Sequence, residues 1–415
     1  MIVELINTGS ELMLGRTLNT HQQWLCRQLA DRGYVVSRQV AIADAGPAIQ
    51  QAVRESLGRA DLILVTGGLG PTSDDVTREL IADLLGKPLR EDPAVVASLK
   101  AFFAARNRPM PARNLVQAQV PEGALVLPNP HGTAPGLAMK VEQRATPQWL
   151  ILLPGPPREL QPMFLEQVVP LLQREFPAET FVCRTLRTSG LGESALAELI
   201  DAPLQPLIGE GLELGYCARP GQVDVRLAAR GPQAEQVVAR AEAIVQPLLA
   251  EHVYGCDEVD LETALIRELT RRSRTLALAE SCTGGLLAHR LTNVPGASAV
   301  LLAGLVTYAN AAKERFAGVP PELIATHGAV SEPVARALAE GARRATGADY
   351  GVGITGIAGP GGGSPDKPVG TVFLAVSSAT GTAVKRQWNQ FDRVTFKEVT
   401  TQQALNLLWR QVRNG

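Results

Sequence analysis

The sequence predicts an α/β protein organised around parallel-stranded sheets. Apolar β-rich runs alternate with amphipathic helical patterns, the period switches repeatedly at glycines, and 415 residues suffice for two or three domains with cores of their own. In order, IVELINTG reads as a buried first strand and not a signal peptide, since no basic leader precedes it and Glu4 interrupts its apolar run. NTHQQWLCRQLADRG reads as a helix ended by Gly33, YVVSRQVAI as a strand, and PAIQQAVRESLGRA as a helix. DLILVTGG is the next strand and DVTRELIADLLG the next helix.

Residues 1–170 form the first expected domain, and residues 171–253 a smaller α+β module. Its strands are RTLRTSG, LELGYCARPG and QVDVRLAARG, the last two a hairpin over RPGQ, and its helices GESALAELI and PQAEQVVARAEAIVQPLL. No polar cluster there speaks for chemistry, so it reads as a spacer or dimerisation module. EHVYGCDEVD leads into a third domain, residues 256–415. There LETALIRELTRRS, GGLLAHRLTNV and PVARALAEGARRATG read as helices, and TLALAE, VLLAGLVTY, YGVGITG and VGTVFLAVSS as strands. FKEVTTQQALNLLWRQVRN reads as a closing helix.

Composition excludes several classes. Forty basic residues balance forty-one acidic ones, leaving no global electrostatic reason to bind nucleic acid or an anionic membrane. No window approaches an uninterrupted membrane span. The five cysteines form no C-x-x-C pair and the five histidines no H-x-x-x-H, which argues against a disulfide framework or zinc site and for a reducing cytoplasm.

The strand DLILVTGG runs into GGLGPTSDDVTREL. Gly67, Gly68 and Gly70 let the backbone approach a phosphate, and the following helix offers unpaired N–H groups. Asp74 and Asp75 can hold Mg²⁺ or another divalent ion, because that ion takes one or two protein carboxylates. The alternative is that Ser73 or Asp74 caps the helix and Asp75 favours its dipole. Further polar loops bring Glu11, Asn19, Asn129, Gly132, Thr133, Gly136, Gly155, Arg158 and Glu159, and in an open sheet such loops converge beyond the strands' carboxyl ends.

In the third domain AESCTGG sets Ser281 where a strand turns into a helix, a position that favours an oxyanion; a Ser/Thr cap is the alternative. Cys282 is the rival nucleophile, but a cysteine needs a base, and His289 lies about 10 Å along the helix. Lys313, after VLLAGLVTY, can serve as base if burial keeps it neutral, and Lys367 competes for that role. The glycine-dense loop from Thr355 through Gly356 and Ala358 can bring N–H groups and a hydroxyl to a carbonyl or sugar. Ser331 reads as a helix cap with Pro333 in the first turn.

GGLGPTSDDVT, NPHGTAPG and LPGPPREL resemble signature loops of the CinA (competence/damage-inducible protein A) family, whose first domain has the molybdopterin-binding fold. For that domain the resemblance implies metal-dependent hydrolysis of the pyrophosphate of ADP-ribose, with Glu11, Gly67, Gly68, Gly70, Thr133 and Gly136 at the ligand and Asp74 and Asp75 at the metal. Ser10 stands where the family often has an acidic or amide residue. AESCTGG, TYANAAK, THGAVSEP and GITGIAGPGGG…KPVGTV resemble the nicotinamide mononucleotide deamidase domain. That likeness implies Ser281 as nucleophile and Lys313 as base, with no cofactor. Tyr308, Asn310 and Thr355 then line the substrate pocket, and Glu280, Thr283, Gly284, Gly356, Ala358 and Arg393 join the substrate-binding set. The expected partners are small nucleotides and a second copy of the chain, with no nucleic acid or membrane. The competing expectation is a regulatory protein whose first domain binds a pterin or nucleotide without turnover.

Overall fold

Six consecutive buried residues, Val3–Thr8, form strand β1 of the computed structural model, which describes residues 1–142, 144, 146, 148–177 and 179–414. Glu4 stays inside this strand because its carboxylate accepts bonds from Ser56 Oγ at 2.6 Å and Arg59 Nε at 2.5 Å. β1 is joined by β2 (Val36–Ile42), β3 (Leu62–Thr66), β4 (Leu125–Leu127), β5 (Gly136–Val141) and β6 (Gln148–Leu153) in the order β2-β1-β3-β6-β5-β4. The first four in that order are parallel, while β5 and β4 run antiparallel to their neighbours, so the sheet is mixed where a parallel one was expected. Only six residues separate Val141 from Gln148. That is too short for a parallel crossover, which needs about a dozen. Two hydrophobic cores flank the sheet: Leu5, Leu62 and Ile151 face one, and Ile6, Ile63 and Leu150 the other.

The chain divides into two units, Met1–Val182 with Arg230–Pro232, and Cys183–Ala229 with Gln233–Gly415. A second sheet orders β7 (Phe181–Ser189), β8 (Glu213–Arg219), β9 (Gln222–Arg230) and β10 (Val253–Cys256) as β8-β9-β7-β10. The expected hairpin closes on the pair Arg219 and Gln222. β10 belongs to this sheet, although in sequence its residues read as a lead-in to the third domain.

The third sheet orders β11 (Leu276–Glu280), β12 (Leu301–Val306), β13 (Tyr350–Gly356), β14 (Thr371–Ser378) and β15 (Gly381–Trp388) as β12-β11-β13-β14-β15. β12, β11 and β13 are parallel, and β14 and β15 return as antiparallel hairpins. On β11, Leu276 and Leu278 pack with helices Leu261–Arg271 and Arg393–Asn414, while Ala277 and Ala279 face helix Glu332–Thr346. That face is kept thin because a Cβ at Gly351 or Gly353 of β13 would collide with backbone of this helix. No helix among the described residues is long and apolar enough to cross a membrane, and none of the five cysteines is in a disulfide.

Candidate functional site

The register of the three parallel strands builds the site. Glu280, at the end of β11, pairs with Val306 on one side and Ile354 on the other, so the next residues of the three chains emerge at one level. Ser281 and Thr307 with Tyr308 follow β11 and β12, and Thr355 with Gly356 are the last residues of β13. Ser281, Cys282, Tyr308, Asn310, Lys313, Thr355, Gly356, Ala358 and Arg393 all line one cavity of about 210 Å³, together with Ala329 and Val330.

Neither polar alternative for the turn holds. Helix Leu286–Thr292 has Gly285 at its cap position and takes no capping bond from Ser281 or Thr283. Its amino terminus is satisfied from below by Glu280. Oε2 accepts from Gly285 N at 3.1 Å, Leu287 N at 3.0 Å and Thr283 Oγ1 at 2.7 Å, and Oε1 from Ala288 N at 2.8 Å. This carboxylate at a helix amino terminus fixes the turn and releases Ser281 from capping. Ser281 is 8% exposed, and its hydroxyl makes no hydrogen bond with a described residue.

Lys313 enters from helix Asn310–Ala317 and is 2% exposed. Its Nζ donates to the carbonyl of Tyr308 at 3.1 Å, and no carboxylate pairs with it among the described residues. Burial holds its pKa below the ordinary lysine value, with the neighbouring Cys282 opposing that shift. Burial also pushes the Cys282 thiol up to about 12, so its thiolate is scarce at neutral pH. Lys367 is absent from the lining and donates to the carbonyl of His327 at 2.7 Å. His289 is exposed and contacts Asn293.

Arg393 stands across the mouth of the cavity. Asp392 caps the last helix, accepting from Val394 N at 2.9 Å and Thr395 N at 3.1 Å, which puts Arg393 at the helix's first residue. Its guanidinium donates to Gly359 O at 2.8 Å and Tyr308 Oη at 2.6 Å. Thr355 Oγ1 donates to the carbonyl of Ala329 at 2.8 Å. Glu280, Thr283 and Gly284 do not line the cavity: the first two are buried beneath it, and Gly284 lies on the outer side of the turn. Ser331 occupies the cap position of helix Glu332–Thr346, but its hydroxyl donates back to Gly328 O and caps nothing.

A second cavity, of about 370 Å³, opens at the carboxyl ends of β1, β3 and β6. Glu11, Gly67, Gly68, Gly70, Asp74, Asp75, Thr133, Gly155 and Glu159 line it. The glycines are required sterically: a Cβ at Gly68 would meet the Thr77 side chain, and one at Gly70 the Asp75 carboxylate. Gly136 does not reach the cavity and packs against Met163 at the start of β5. Asn19 caps helix Thr20–Ala30, and Arg158 is exposed beside Glu159. Asp75 Oδ2 accepts from Thr72 N at 2.9 Å, and neither Ser73 nor Asp74 caps helix Thr77–Leu84. Asp74 is fully exposed, and hydrogen bonding from Thr72 and its own backbone lowers its pKa.

Sequence reasoning missed Asp44, which lines this cavity after β2 and accepts from the Ser10 backbone N–H at 2.8 Å. Its place at a strand's carboxyl end was the available signal. No group of three or more His, Cys, Asp or Glu among the described residues gathers as a metal cluster. Asp74 and Asp75 still fit an ion that keeps water or phosphate oxygens for its other positions.

Fold and sites together define a modular α/β protein with a molybdopterin-binding-type amino-terminal domain and a buried serine–lysine pocket in its last domain. Family models match in the same order: "Probable molybdopterin binding domain" over residues 4–174, "Damage-inducible protein CinA KH domain" over 183–255, and "CinA C-terminal domain" over 258–412. A CinA-like protein of Akkermansia muciniphila is 46% identical over 404 residues, covering 97% of this chain and 95% of its own. One from Anaeromyxobacter dehalogenans is 42% identical over 411 residues, covering 98% and 99%. The chain belongs to the CinA family. The crystal structure of the competence/damage inducible protein CihA from Agrobacterium tumefaciens shares 40% identity, covering 37% of this chain and 93% of that one, with a TM-score of 0.35.

Proposed function

We propose that the carboxy-terminal domain is an amidohydrolase that converts nicotinamide mononucleotide to nicotinic acid mononucleotide and ammonia. The observation that carries this reading is a buried lysine without a carboxylate partner lining the same cavity as an uncommitted serine. Lys313, its pKa lowered by burial, takes the Ser281 proton in its neutral form as Oγ attacks the carboxamide carbon. The tetrahedral intermediate collapses with loss of ammonia, its proton returned from Lys313. Water, deprotonated by the same amine, then releases the carboxylate from the acyl-serine. Tyr308, Asn310, Thr355 and Arg393 hold the nucleotide, and no cofactor takes part.

The amino-terminal domain, on this reading, hydrolyses ADP-ribose at its pyrophosphate. Asp74 and Asp75 would hold a divalent ion there, which neutralises phosphate charge when bound. The Gly67–Gly70 turn offers its backbone to the phosphates. The reading places the protein in the cytoplasm, where cysteines outside disulfides persist, as a homodimer to be checked by light scattering. The deciding experiment incubates the purified full chain with nicotinamide mononucleotide and measures ammonia. Release that survives a chelator fits the proposal, and none at any pH between 6 and 10 (about one unit below to three above neutrality) rejects it.

A further inference from the structure

A third cavity, of about 450 Å³, lies wholly within the second unit, where residues of the middle sheet face the carboxy-terminal domain. It shares no residue with the Ser281 cavity. Its volume is in the range of small-molecule sites, roughly 300–1,000 Å³.

One wall is Gly190-Leu191-Gly192, the turn that joins β7 to helix Glu193–Gly209. Strand, glycine turn and helix amino terminus is the local architecture that cradles phosphates, because first-turn N–H groups lack intrahelical partners. No side chain caps this 17-residue helix. Gly190 has φ +87°, and a Cβ there would run into the Arg410 and Asn406 side chains. The facing wall is basic. Arg410 comes from the last helix and Lys385 from β15, and the side chain of neither forms an ion pair or hydrogen bond with a described residue. Arg219, also on the lining, is committed to Asp224. Glu193 is the one carboxylate among the lining residues.

Gln402 supplies an independent observation. It lines the cavity and is 3% exposed, and its Oε1 accepts from Arg290 at 2.8 Å. That bond fixes the amide's orientation and leaves Nε2 buried with no acceptor, as is Arg410 Nε. The orphaned donors belong to Gln402 and Arg410, and an oxygen acceptor carrying negative charge would answer them beside the exposed ammonium of Lys385.

We propose that this cavity binds the phosphate of a phosphorylated small molecule, no larger than a mononucleotide. The phosphate sits between the Gly190–Gly192 turn and Arg410, and Gln387 and Asn406 line the space left for the remainder. A ligand held this way bridges the middle module and the last helix. The module is then a sensor of phosphorylated metabolites and more than a spacer.

The test is hydrogen exchange on the full chain, titrated separately with inorganic phosphate and adenosine monophosphate. Slowed exchange at amides 190–196 is expected with at least one probe, with half-saturation raised about tenfold or more in Arg410→Ala by loss of a charge-assisted bond. Lys385→Ala, on an exposed strand position, should raise it several-fold and keeps the test open if Arg410→Ala fails to fold. Tighter binding of the nucleotide than of phosphate identifies a nucleoside-borne group, and equal binding identifies phosphate itself; both support the site. Unchanged exchange at 190–196 with both probes, or half-saturation unmoved by either substitution, overturns it.

Discussion

Replacing Glu280 with glutamine changes one atom, and the structure says how much that matters. Oε2 carries three accepted bonds and Oε1 one. Glutamine has one acceptor oxygen; set in the Oε2 position, it turns its NH₂ against the Ala288 N–H, donor to donor. Three charge-assisted bonds become neutral at about 1 kcal/mol each, and one buried N–H is orphaned at about 1–3 kcal/mol. Relief of the buried charge offsets part of this. We expect the second unit to lose about 2–4 kcal/mol, a fall of on the order of 5–10 °C in its calorimetric melting transition. Calorimetry of the full chain should show that transition moving while the first unit's stays in place. Ammonia release should drop with it, since Ser281 is the next residue on the turn. A shift under about 2 °C would refute the claim that this carboxylate holds the helix and the serine in place.

Ser281→Ala and Lys313→Met should each remove most deamidation, and the double variant should lose little more, because the two act as one unit; additive losses would mean that they act separately. Deamidation by the parent chain should rise with pH through the depressed pKa of Lys313 and then level off, since the amine acts only when neutral; a rate that falls over this range would rule it out as base. Cys282→Ala should keep substantial turnover, and iodoacetamide should react slowly with Cys282 near neutral pH because its thiol is held near 12. Asp75→Ala should stop ADP-ribose cleavage and spare ammonia release, measured on one preparation; equal loss of both would trace the effect to folding.

Much of the candidate site was legible because its residues follow strand ends. Ser281, Tyr308 and Thr355 each sit just past an apolar run, and parallel pairing brings such positions together without further information. Adjacency misled where it stood in for direction. Glu280, Thr283 and Gly284 flank the serine in sequence, yet two point beneath the turn and one lies outside it. Asp44 escaped notice because only the pairing of β1 with β2 carries it to Ser10, 34 residues away in the chain. The antiparallel strands β4 and β5 were missed because apolar runs do not reveal strand direction. The cavity beside Gly190 needed residues from five separate stretches of chain, a juxtaposition that no local pattern encodes.

The level ending of β12, β11 and β13 also decides where this protein can change length. A one-residue insertion or deletion within any of the three would reverse the facing of every later side chain in that strand. It would carry Ser281, Tyr308 or Thr355 away from the other two and, in β11, exchange leucine for alanine against helix Glu332–Thr346. The connection from Gly356 to Thr371 carries no such constraint, since β13 and β14 are registered by their own ladder. Length variation and engineered insertions should therefore collect in that loop, where the pocket can be reshaped for a different substrate while serine and lysine keep their places.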